Sequence, residues 1–310
     1  MPVEEATVLA MLSDALEAGR IAGAQLRVVR AQSRRRSDLW FVGVRGEHGC
    51  RWVVKRPQTA SVQDDLHPPM SSSQQLAALR RMSSHLAAEG GRITCPTPVA
   101  GLPDINAYAM EHVAGAHIAG LMTPAVVVAP GRLLAAMSTA AQVLQAVHRL
   151  PAAPSDVARP GTVDLQQVVL HGDFAPENVL LSGSGAAVLE PDLTHRGSPD
   201  VDVVRFLTML YDAPVFVLGA DQGVVQRVRR RAAAEFLATF YGPDGPSPGV
   251  ANLLAESLAA RWETRHKDCL RRRPALTSAR LALLRRHFDA VLRETGDRGG
   301  VPVASVRPQV

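Results

Sequence analysis

Hydrophobic and polar positions in the first third of the chain predict one helix, a small sheet and a second helix. Residues 4–18 carry apolar side chains at helical spacing. Three apolar runs follow, at 26–29, 39–44 and 52–54, and polar turns separate them, which predicts an antiparallel meander. Residues 74–88 return to helical spacing. Short strands are predicted after this helix, at 99–100 and 107–113.

From about residue 117 onward the pattern is mainly helical. Residues 132–150 form an amphipathic segment, and prolines follow it. Two short apolar runs, 168–170 and 179–181, flank a polar stretch, and helical spacing continues to about residue 294. We therefore predict an α+β fold with a small, antiparallel, β-rich N-terminal lobe (1–113). A larger, mostly helical lobe (114–295) follows, and then a disordered tail (296–310).

Composition narrows the class of protein. The chain has 310 residues, 46% of them apolar, but no apolar stretch reaches the roughly 18 to 20 residues of a membrane span. Its three cysteines are far apart, which predicts no disulfide framework and favours a cytoplasmic protein. The net charge of +5 comes from dispersed basic residues with few aromatic residues among them, so we expect no nucleic-acid partner. Arginine greatly outnumbers lysine, so Lys55, inside a predicted strand, stands out.

The polar stretch reads L-H-G-D-F-A-P-E-N-V-L-L from Leu170 to Leu181. It places His171, Asp173 and Asn178 in the H-x-D-x-x-x-x-N spacing of a kinase catalytic loop. In such a loop a carboxylate orients or deprotonates the attacking hydroxyl, and an amide oxygen holds the magnesium ion that bridges the nucleotide phosphates. The alternative is a β-hairpin whose glycine, proline, aspartate and asparagine only satisfy turn geometry.

The full string closely resembles the catalytic loop of the aminoglycoside phosphotransferase family, which includes choline-kinase-like and other small-molecule kinases. The resemblance implies a protein-kinase-like, two-lobed fold. It also implies transfer of the γ-phosphate of ATP or GTP to a hydroxyl group of a small molecule, with Mg²⁺ as cofactor. By this resemblance Asp173 acts on the acceptor hydroxyl, Asn178 binds the metal and His171 braces the loop.

The same family has a second metal-binding acid downstream of the loop, followed by a G-x-P-x-x-D element. Gly197, Pro199 and Asp202 match that element, and we expect Asp202 to anchor the catalytic loop. Counting back from it places the metal-binding acid at Glu190, where the family has an aspartate. Asp192, two residues later, is the alternative ligand.

In the N-terminal lobe the resemblance assigns the phosphate-binding lysine to Lys55, at the end of the third predicted strand. The partner of this lysine in the family is a glutamate on the following helix. Gln75 occupies that position here, and it can accept a hydrogen bond from Lys55 but cannot balance its charge. This substitution favours, as an alternative function, a kinase-like protein that binds nucleotide or a partner with little or no catalysis.

Two other segments are candidates for nucleotide contacts. Ser33 and the arginines at 34–36 form the tip of the first hairpin and could meet the phosphates, although a solvated basic turn explains them equally well. Residues 108–115 resemble the hinge between kinase lobes. There Met110 would line the adenine site, and the backbone around Glu111 and Val113 would hydrogen-bond the base.

The acceptor is constrained only by charge. Basic residues outnumber acidic ones in residues 205–310, which favours a neutral or anionic acceptor over a polycationic aminoglycoside. A metal-dependent hydrolase using His171, Asp173 and Asp192 is a weaker alternative. We expect the protein to act as a monomer or homodimer.

Overall fold

The computed structural model describes residues 4–18, 25–33, 37–58, 70–153, 156–158, 167–183, 185–191, 195–219 and 222–272. It divides into two compact units. The first contains Met1–Gly115 and Ser182–Leu193, and the second contains Ala116–Leu181 and Thr194–Val310. The predicted tail at 296–310 lies outside the described residues.

Helices and strands together confirm the predicted α+β class. The α-helices are α1 (Glu5–Ala18), α2 (Ser72–Ala88), α3 (Gly131–His148), α4 (Asp200–Tyr211), α5 (Pro214–Leu218), α6 (Gly223–Tyr241) and α7 (Pro248–Arg272). The strands are β1 (Leu26–Ser33), β2 (Ser37–Val44), β3 (Trp52–Pro57), β4 (Ile93–Thr94), β5 (Pro98–Leu102), β6 (Ala107–Glu111), β7 (Ala116–His117), β8 (Val157–Ala158), β9 (Val168–Val169), β10 (Val179–Ser182), β11 (Gly185–Val188) and β12 (His195–Gly197). No helix among the described residues is both long and apolar enough to cross a membrane.

The first unit is built on a five-stranded antiparallel sheet in the order β1-β2-β3-β6-β5. The three predicted runs of the meander are its first three strands, so this prediction is confirmed. Helix α1 packs its apolar side, including Leu12, against one face of the sheet, where Trp40, Trp52 and Val54 are buried. Helix α2 begins with a capping box in which Ser71 and Gln74 exchange hydrogen bonds, which fixes its first turn.

Strand alternation decides which residues face away from α1. Trp52 and Val54 belong to the core beneath α1, so Lys55 points to the opposite face of the sheet. Its cross-strand partner in β6 is Tyr108, directly opposite in register. Both side chains are buried. The sheet therefore brings a lysine and a tyrosine together on the face that does not contact α1.

The second unit is mainly helical, and stacked aromatic rings connect its polar segment to the helices. Phe174, in that segment, packs against Phe206 of α4, with 5.4 Å between ring centroids. Phe206 in turn stacks on Phe236 of α6 at 4.4 Å. All three side chains are fully buried. Because these three aromatic rings are buried against one another, they attach the polar segment firmly to helices α4 and α6.

The strands that flank the polar segment do not pair with each other. Strand β9 pairs with β12, and β10 pairs with β7, both antiparallel. The segment is therefore not the turn of a β-hairpin, and that alternative is wrong. The polar residues are held instead by contacts from elsewhere in the second unit.

Candidate active site

The backbone of the polar segment is held by a buried carboxylate. Asp202 Oδ2 accepts from the His171 N–H at 2.7 Å, and its Oδ1 accepts from the Gly172 N–H at 3.1 Å. Gly172 has a φ of 85°, in the left-handed region that costs glycine least. The prediction that Asp202 anchors this segment is confirmed.

A histidine that the sequence analysis did not select completes this anchor. His148, the last residue of α3, donates from Nε2 to Asp202 Oδ2 at 3.0 Å. Burial acts to raise the pKa of Asp202, but the hydrogen bond and charge of His148, together with His171, outweigh it and hold that pKa below 3.8. Asp202 therefore stays ionised inside the protein. The available sequence signal was a histidine at the end of an amphipathic helix, which by itself is too common to be specific.

His171 is fully buried and belongs to the scaffold of the segment. Its Nδ1 accepts a hydrogen bond from the Asp173 N–H at 3.3 Å. Its ring meets Phe174 edge-on, with centroids 5.5 Å apart. These contacts support bracing by His171, whereas direct contact with a substrate would require an exposed ring.

Asp173 and Asn178, the two residues predicted to carry the chemistry, are in contact. The Asn178 side-chain nitrogen donates to the Asp173 backbone oxygen at 2.8 Å and makes a longer contact, 3.4 Å, with Asp173 Oδ2. A short 3₁₀ turn, Pro176–Asn178, positions the amide. Because its nitrogen is committed to Asp173, the amide presents its oxygen as the end that can bind a cation.

Arg205 is a second member of this site that the sequence analysis missed. It lies on α4, and its Nε and Nη2 both donate to Asp173 Oδ1, at 3.2 and 2.7 Å. It follows Asp202 by three residues, so the two side chains lie on the same side of the helix. That spacing is visible in the sequence, but it becomes informative only once Asp202 is known to face the loop.

The first unit holds a separate cluster around Lys55. The Lys55 Nζ forms an ion pair with Glu190 Oε1 at 3.1 Å. Glu190 has a φ of 55°, a left-handed conformation that costs a non-glycine residue about 1 to 3 kcal/mol. Strain of this kind persists where the surroundings impose it and is concentrated at functional sites. The structure therefore joins the predicted phosphate-binding lysine to one of the two predicted metal ligands.

Gln75 lies beside this pair and is hydrogen-bonded to Tyr108. The Tyr108 hydroxyl donates to Gln75 Oε1 at 3.2 Å. Burial raises the pKa of Tyr108; the Lys55 charge lowers it and the Glu190 charge raises it, with a net increase. The tyrosine is therefore neutral and a hydrogen-bond donor at neutral pH. Charge balance for Lys55 comes from Glu190, which the sequence analysis had considered only as a metal ligand.

Ser33 braces the turn end of the first hairpin. Its hydroxyl donates to Asp38 Oδ1 at 2.7 Å, and Arg56 Nη2 donates to Asp38 Oδ2 at 2.5 Å. Burial acts to raise the pKa of Asp38, but hydrogen bonds from Ser33, Arg56 and Gln58 outweigh burial, so the pKa is lowered overall. The arginines at 34–36 lie outside the described residues.

The predicted hinge continues from β6. Met110 pairs with Val53 and is partly buried. The Glu111 N–H donates to the Thr97 carbonyl at 2.8 Å, so it is already used within the protein. For Val113, no backbone hydrogen-bond partner is present among the described residues. Val113 is therefore the better candidate donor to a nucleotide base.

Carboxylate and amide oxygens are the ligands that a hard cation such as Mg²⁺ prefers. Within the second unit the Asn178 amide presents such an oxygen, and within the first unit the Glu190 carboxylate does so. Asp192, the other predicted ligand, lies outside the described residues. Within the described part of the chain, no group of three His, Cys, Asp or Glu side chains is assembled as a metal site.

Comparison with known proteins bears directly on these residues. Residues 139–235 match the model of APH, the phosphotransferase enzyme family. The matched range includes the polar segment, Asp202 and Arg205. The resemblance predicted from the sequence is confirmed. No curated protein matches the chain.

Solved structures of small-molecule kinases share the fold. Amicoumacin kinase hAmiN, in complex with AMP-PNP, Ca²⁺ and Ami, aligns with a TM-score of 0.55 at 13% identity, covering 93% of this chain and 96% of that one. Glucosamine kinase, in complex with glucosamine, ADP and inorganic phosphate, aligns at 0.54 and 14% identity, covering 93% and 86%. A choline/ethanolamine kinase family protein from Mesorhizobium loti aligns at 0.50 and 13% identity, covering 97% and 99%. At these identities the likeness establishes the kinase-like fold.

Proposed function

We propose that this protein transfers the γ-phosphate of ATP or GTP to a hydroxyl group of a small molecule. The observation that carries the proposal is the braced segment from His171 to Asn178. Its backbone is fixed by Asp202, and its aspartate and asparagine are in contact at kinase spacing. The match of residues 139–235 to a phosphotransferase family supports the same chemistry.

Asp173 is assigned to the acceptor. Its carboxylate orients the attacking hydroxyl and receives the proton as the new ester bond forms. His171 acts through the backbone, because its buried ring holds the Asp173 N–H. Phosphoryl transfer depends mostly on alignment and charge neutralisation, so a rigid carboxylate is more useful here than a strong base.

Lys55 is assigned to the nucleotide phosphates, and Asn178 and Glu190 to Mg²⁺. When bound by these residues, Mg²⁺ would supply positive charge that offsets the charge of the nucleotide phosphates. The left-handed backbone of Glu190, a kind of strain that is concentrated at functional sites, supports this residue as an acidic ligand. Because Glu190 is paired with Lys55, nucleotide and metal together must replace that ion pair. We therefore expect Mg²⁺ and nucleotide to bind with positive coupling.

Other contacts with the nucleotide follow from the same assignment. Met110 lines the adenine site, and the backbone of Val113 hydrogen-bonds the base, with Glu111 adjacent. Tyr108, the cross-strand neighbour of Lys55, is held in place by its hydrogen bond to Gln75. Ser33 braces the turn end of the first hairpin through its hydrogen bond to Asp38.

The acceptor is proposed to be neutral or anionic. Basic residues outnumber acidic ones in residues 205–310. Arg205 also places a positive charge beside Asp173, the carboxylate assigned to the acceptor. An acidic pocket of the kind that suits a polycationic antibiotic is therefore not expected.

A screen of acceptors with labelled nucleotide tests the proposal. Purified protein is mixed with Mg²⁺, labelled ATP or GTP, and pools of neutral, anionic and amine-bearing hydroxy compounds. Label is expected in a small-molecule product only with Mg²⁺ and with intact Asp173. A parallel thermal-shift assay reports binding of the Mg²⁺–nucleotide complex.

The same two assays separate the alternatives. A protein that binds Mg²⁺–nucleotide but transfers no phosphate would support a nucleotide-binding protein without catalysis. A protein that binds no nucleotide, contains a transition metal and hydrolyses a substrate would support the metal-dependent hydrolase.

A further inference from the structure

The carboxylate of Asp173 is already paired with a cation inside its own unit. Arg205 directs two of its five N–H groups at a single oxygen, Asp173 Oδ1. The side chains of Arg205 and Asp173 are 37% and 31% exposed, so the pair lies at an accessible surface.

This contact fixes the orientation of the carboxylate. Arg205 holds Oδ1, while Oδ2 makes a longer contact, 3.4 Å, with the Asn178 side-chain nitrogen. Helix α4 supplies both restraints on the loop, because Asp202 holds the loop backbone one turn before Arg205. Helix α4 thus fixes both the backbone position of the loop and the orientation of the Asp173 carboxylate.

The contact also changes the charge that an acceptor meets. A guanidinium beside a carboxylate offsets its charge, so an ammonium group near the reacting hydroxyl gains little from Asp173. The same ammonium group is repelled by Arg205 at short range. A neutral or anionic oxygen-bearing group suffers no such penalty, and the planar guanidinium can donate to it.

We propose that Arg205 is the positioning residue of Asp173 and that it selects against acceptors with a cationic group next to the transferred hydroxyl. This role rests on the proposed phosphotransferase function. It assigns acceptor selectivity to one named side chain, where the sequence offered only an excess of basic residues.

Three substitutions separate the charge of Arg205 from its geometry. Arg205→Ala removes both, Arg205→Gln keeps a donor without charge, and Arg205→Lys keeps the charge without the forked donors. The rate is measured with an acceptor found in the screen, or with water as the acceptor through ATP hydrolysis. Arg261→Ala is the matched control, because Arg261 makes a similar guanidinium–carboxylate pair with Asp212, the C-cap residue of α4.

For Arg205→Ala we expect kcat to fall about 10- to 100-fold with little change in the KM for Mg²⁺–ATP, because loss of alignment affects the chemical step. Arg205→Lys should retain more activity than Arg205→Gln. Added guanidinium ion, below denaturing concentrations, should restore part of the rate to Arg205→Ala and none to the wild type. In Arg205→Gln, the ratio of kcat/KM for an acceptor to kcat/KM for its amino analogue should be smaller than in the wild type.

Several results would overturn the inference. An active protein whose Arg205 variants lose only thermal stability, as Arg261→Ala is expected to do, would show that the pair is merely structural. A wild type that prefers the amino analogue would contradict the selectivity. If the wild type binds Mg²⁺–ATP yet transfers phosphate to no acceptor, including water, then the proposed function fails and the positioning role fails with it.

Discussion

The two units each contain an ion pair built around a residue of the candidate site, and the two pairs differ in burial and in role. Lys55 is nearly buried, with 7% of its side chain exposed, and Glu190 is 30% exposed. Arg205 and Asp173 are each about a third exposed. A charge as buried as that of Lys55 requires a counter-charge, whereas the exposed pair contributes only about 0 to 1 kcal/mol to stability.

The difference indicates what each pair is for. Under the proposed function, Lys55 and Glu190 would each bind a ligand, so their ion pair would open when nucleotide and metal bind. Under the same proposal Asp173 acts on the acceptor and Arg205 positions it, so this second pair can persist through the reaction. We therefore propose that the first pair holds Lys55 and Glu190 in place before ligands bind, and that the second orients the Asp173 carboxylate.

The largest effect is expected from Asp173→Asn. The substitution removes the group that acts on the acceptor, and kcat should fall by about 10²- to 10⁴-fold. Nucleotide affinity should be unchanged, because the binding residues of the first unit are intact. Steady-state kinetics and nucleotide titration measure the two quantities, and a variant that retains wild-type kcat would contradict the assignment.

A smaller effect is expected from Glu190→Gln, which tests the first pair. It removes a metal ligand and leaves Lys55 without this counter-charge, so kcat at limiting Mg²⁺ should fall by about 10²-fold. Activity as a function of Mg²⁺ concentration is the measurement. Asp192→Asn is the control. If Asp192→Asn were the inactive variant and Glu190→Gln the active one, then the metal ligand would be Asp192.

Asp202→Asn tests how firmly the second unit holds its loop. The variant weakens hydrogen bonds to a buried carboxylate and should lower the free energy of unfolding by about 2 kcal/mol at pH 7. The folded pKa of Asp202 is lowered from 3.8, so its stabilisation is present above that pH and is lost as the pH falls through the lower folded pKa. The difference from wild type, measured by denaturant unfolding, should shrink as the pH falls below 3.8. A difference that grows below pH 3.8 would contradict this account.

The smallest effect is expected from Tyr108→Phe. The variant removes the hydrogen bond to Gln75 while Lys55 and Glu190 remain paired. Stability should fall by about 0.5 to 1.5 kcal/mol, and the change in KM for nucleotide should be slight. Thermal unfolding and nucleotide kinetics check the two values. A large loss of nucleotide affinity would mean that Tyr108 binds the ligand directly.

Much of the fold could be predicted because its signals are local. Apolar spacing identified α1, α2, α3 and the first three strands, and the string from Leu170 to Leu181 identified the candidate catalytic segment by residue type and spacing. Lys55 could be selected because it lies at the end of a strand in a chain poor in lysine. Each of these features is encoded within about twenty consecutive residues.

The partners of these residues could not be predicted in the same way. Arg205 reaches Asp173 across 32 positions, and His148 reaches Asp202 across 54, so both contacts depend on how the helices pack. Gln75 was expected to meet Lys55, and the hydrogen bond to its Oε1 comes from Tyr108 because that residue lies opposite Lys55 in β6. The charge balance of both ion pairs is a tertiary property.

The central claim is that this chain forms a phosphate ester on a small molecule. Phosphorus-31 NMR of the wild-type protein with Mg²⁺–ATP and an acceptor pool tests it most directly. The account predicts a new phosphomonoester signal that grows in proportion to ADP and is absent with Asp173→Asn. ADP accumulating with inorganic phosphate alone, or no ADP from a protein that binds Mg²⁺–ATP, would contradict the claim.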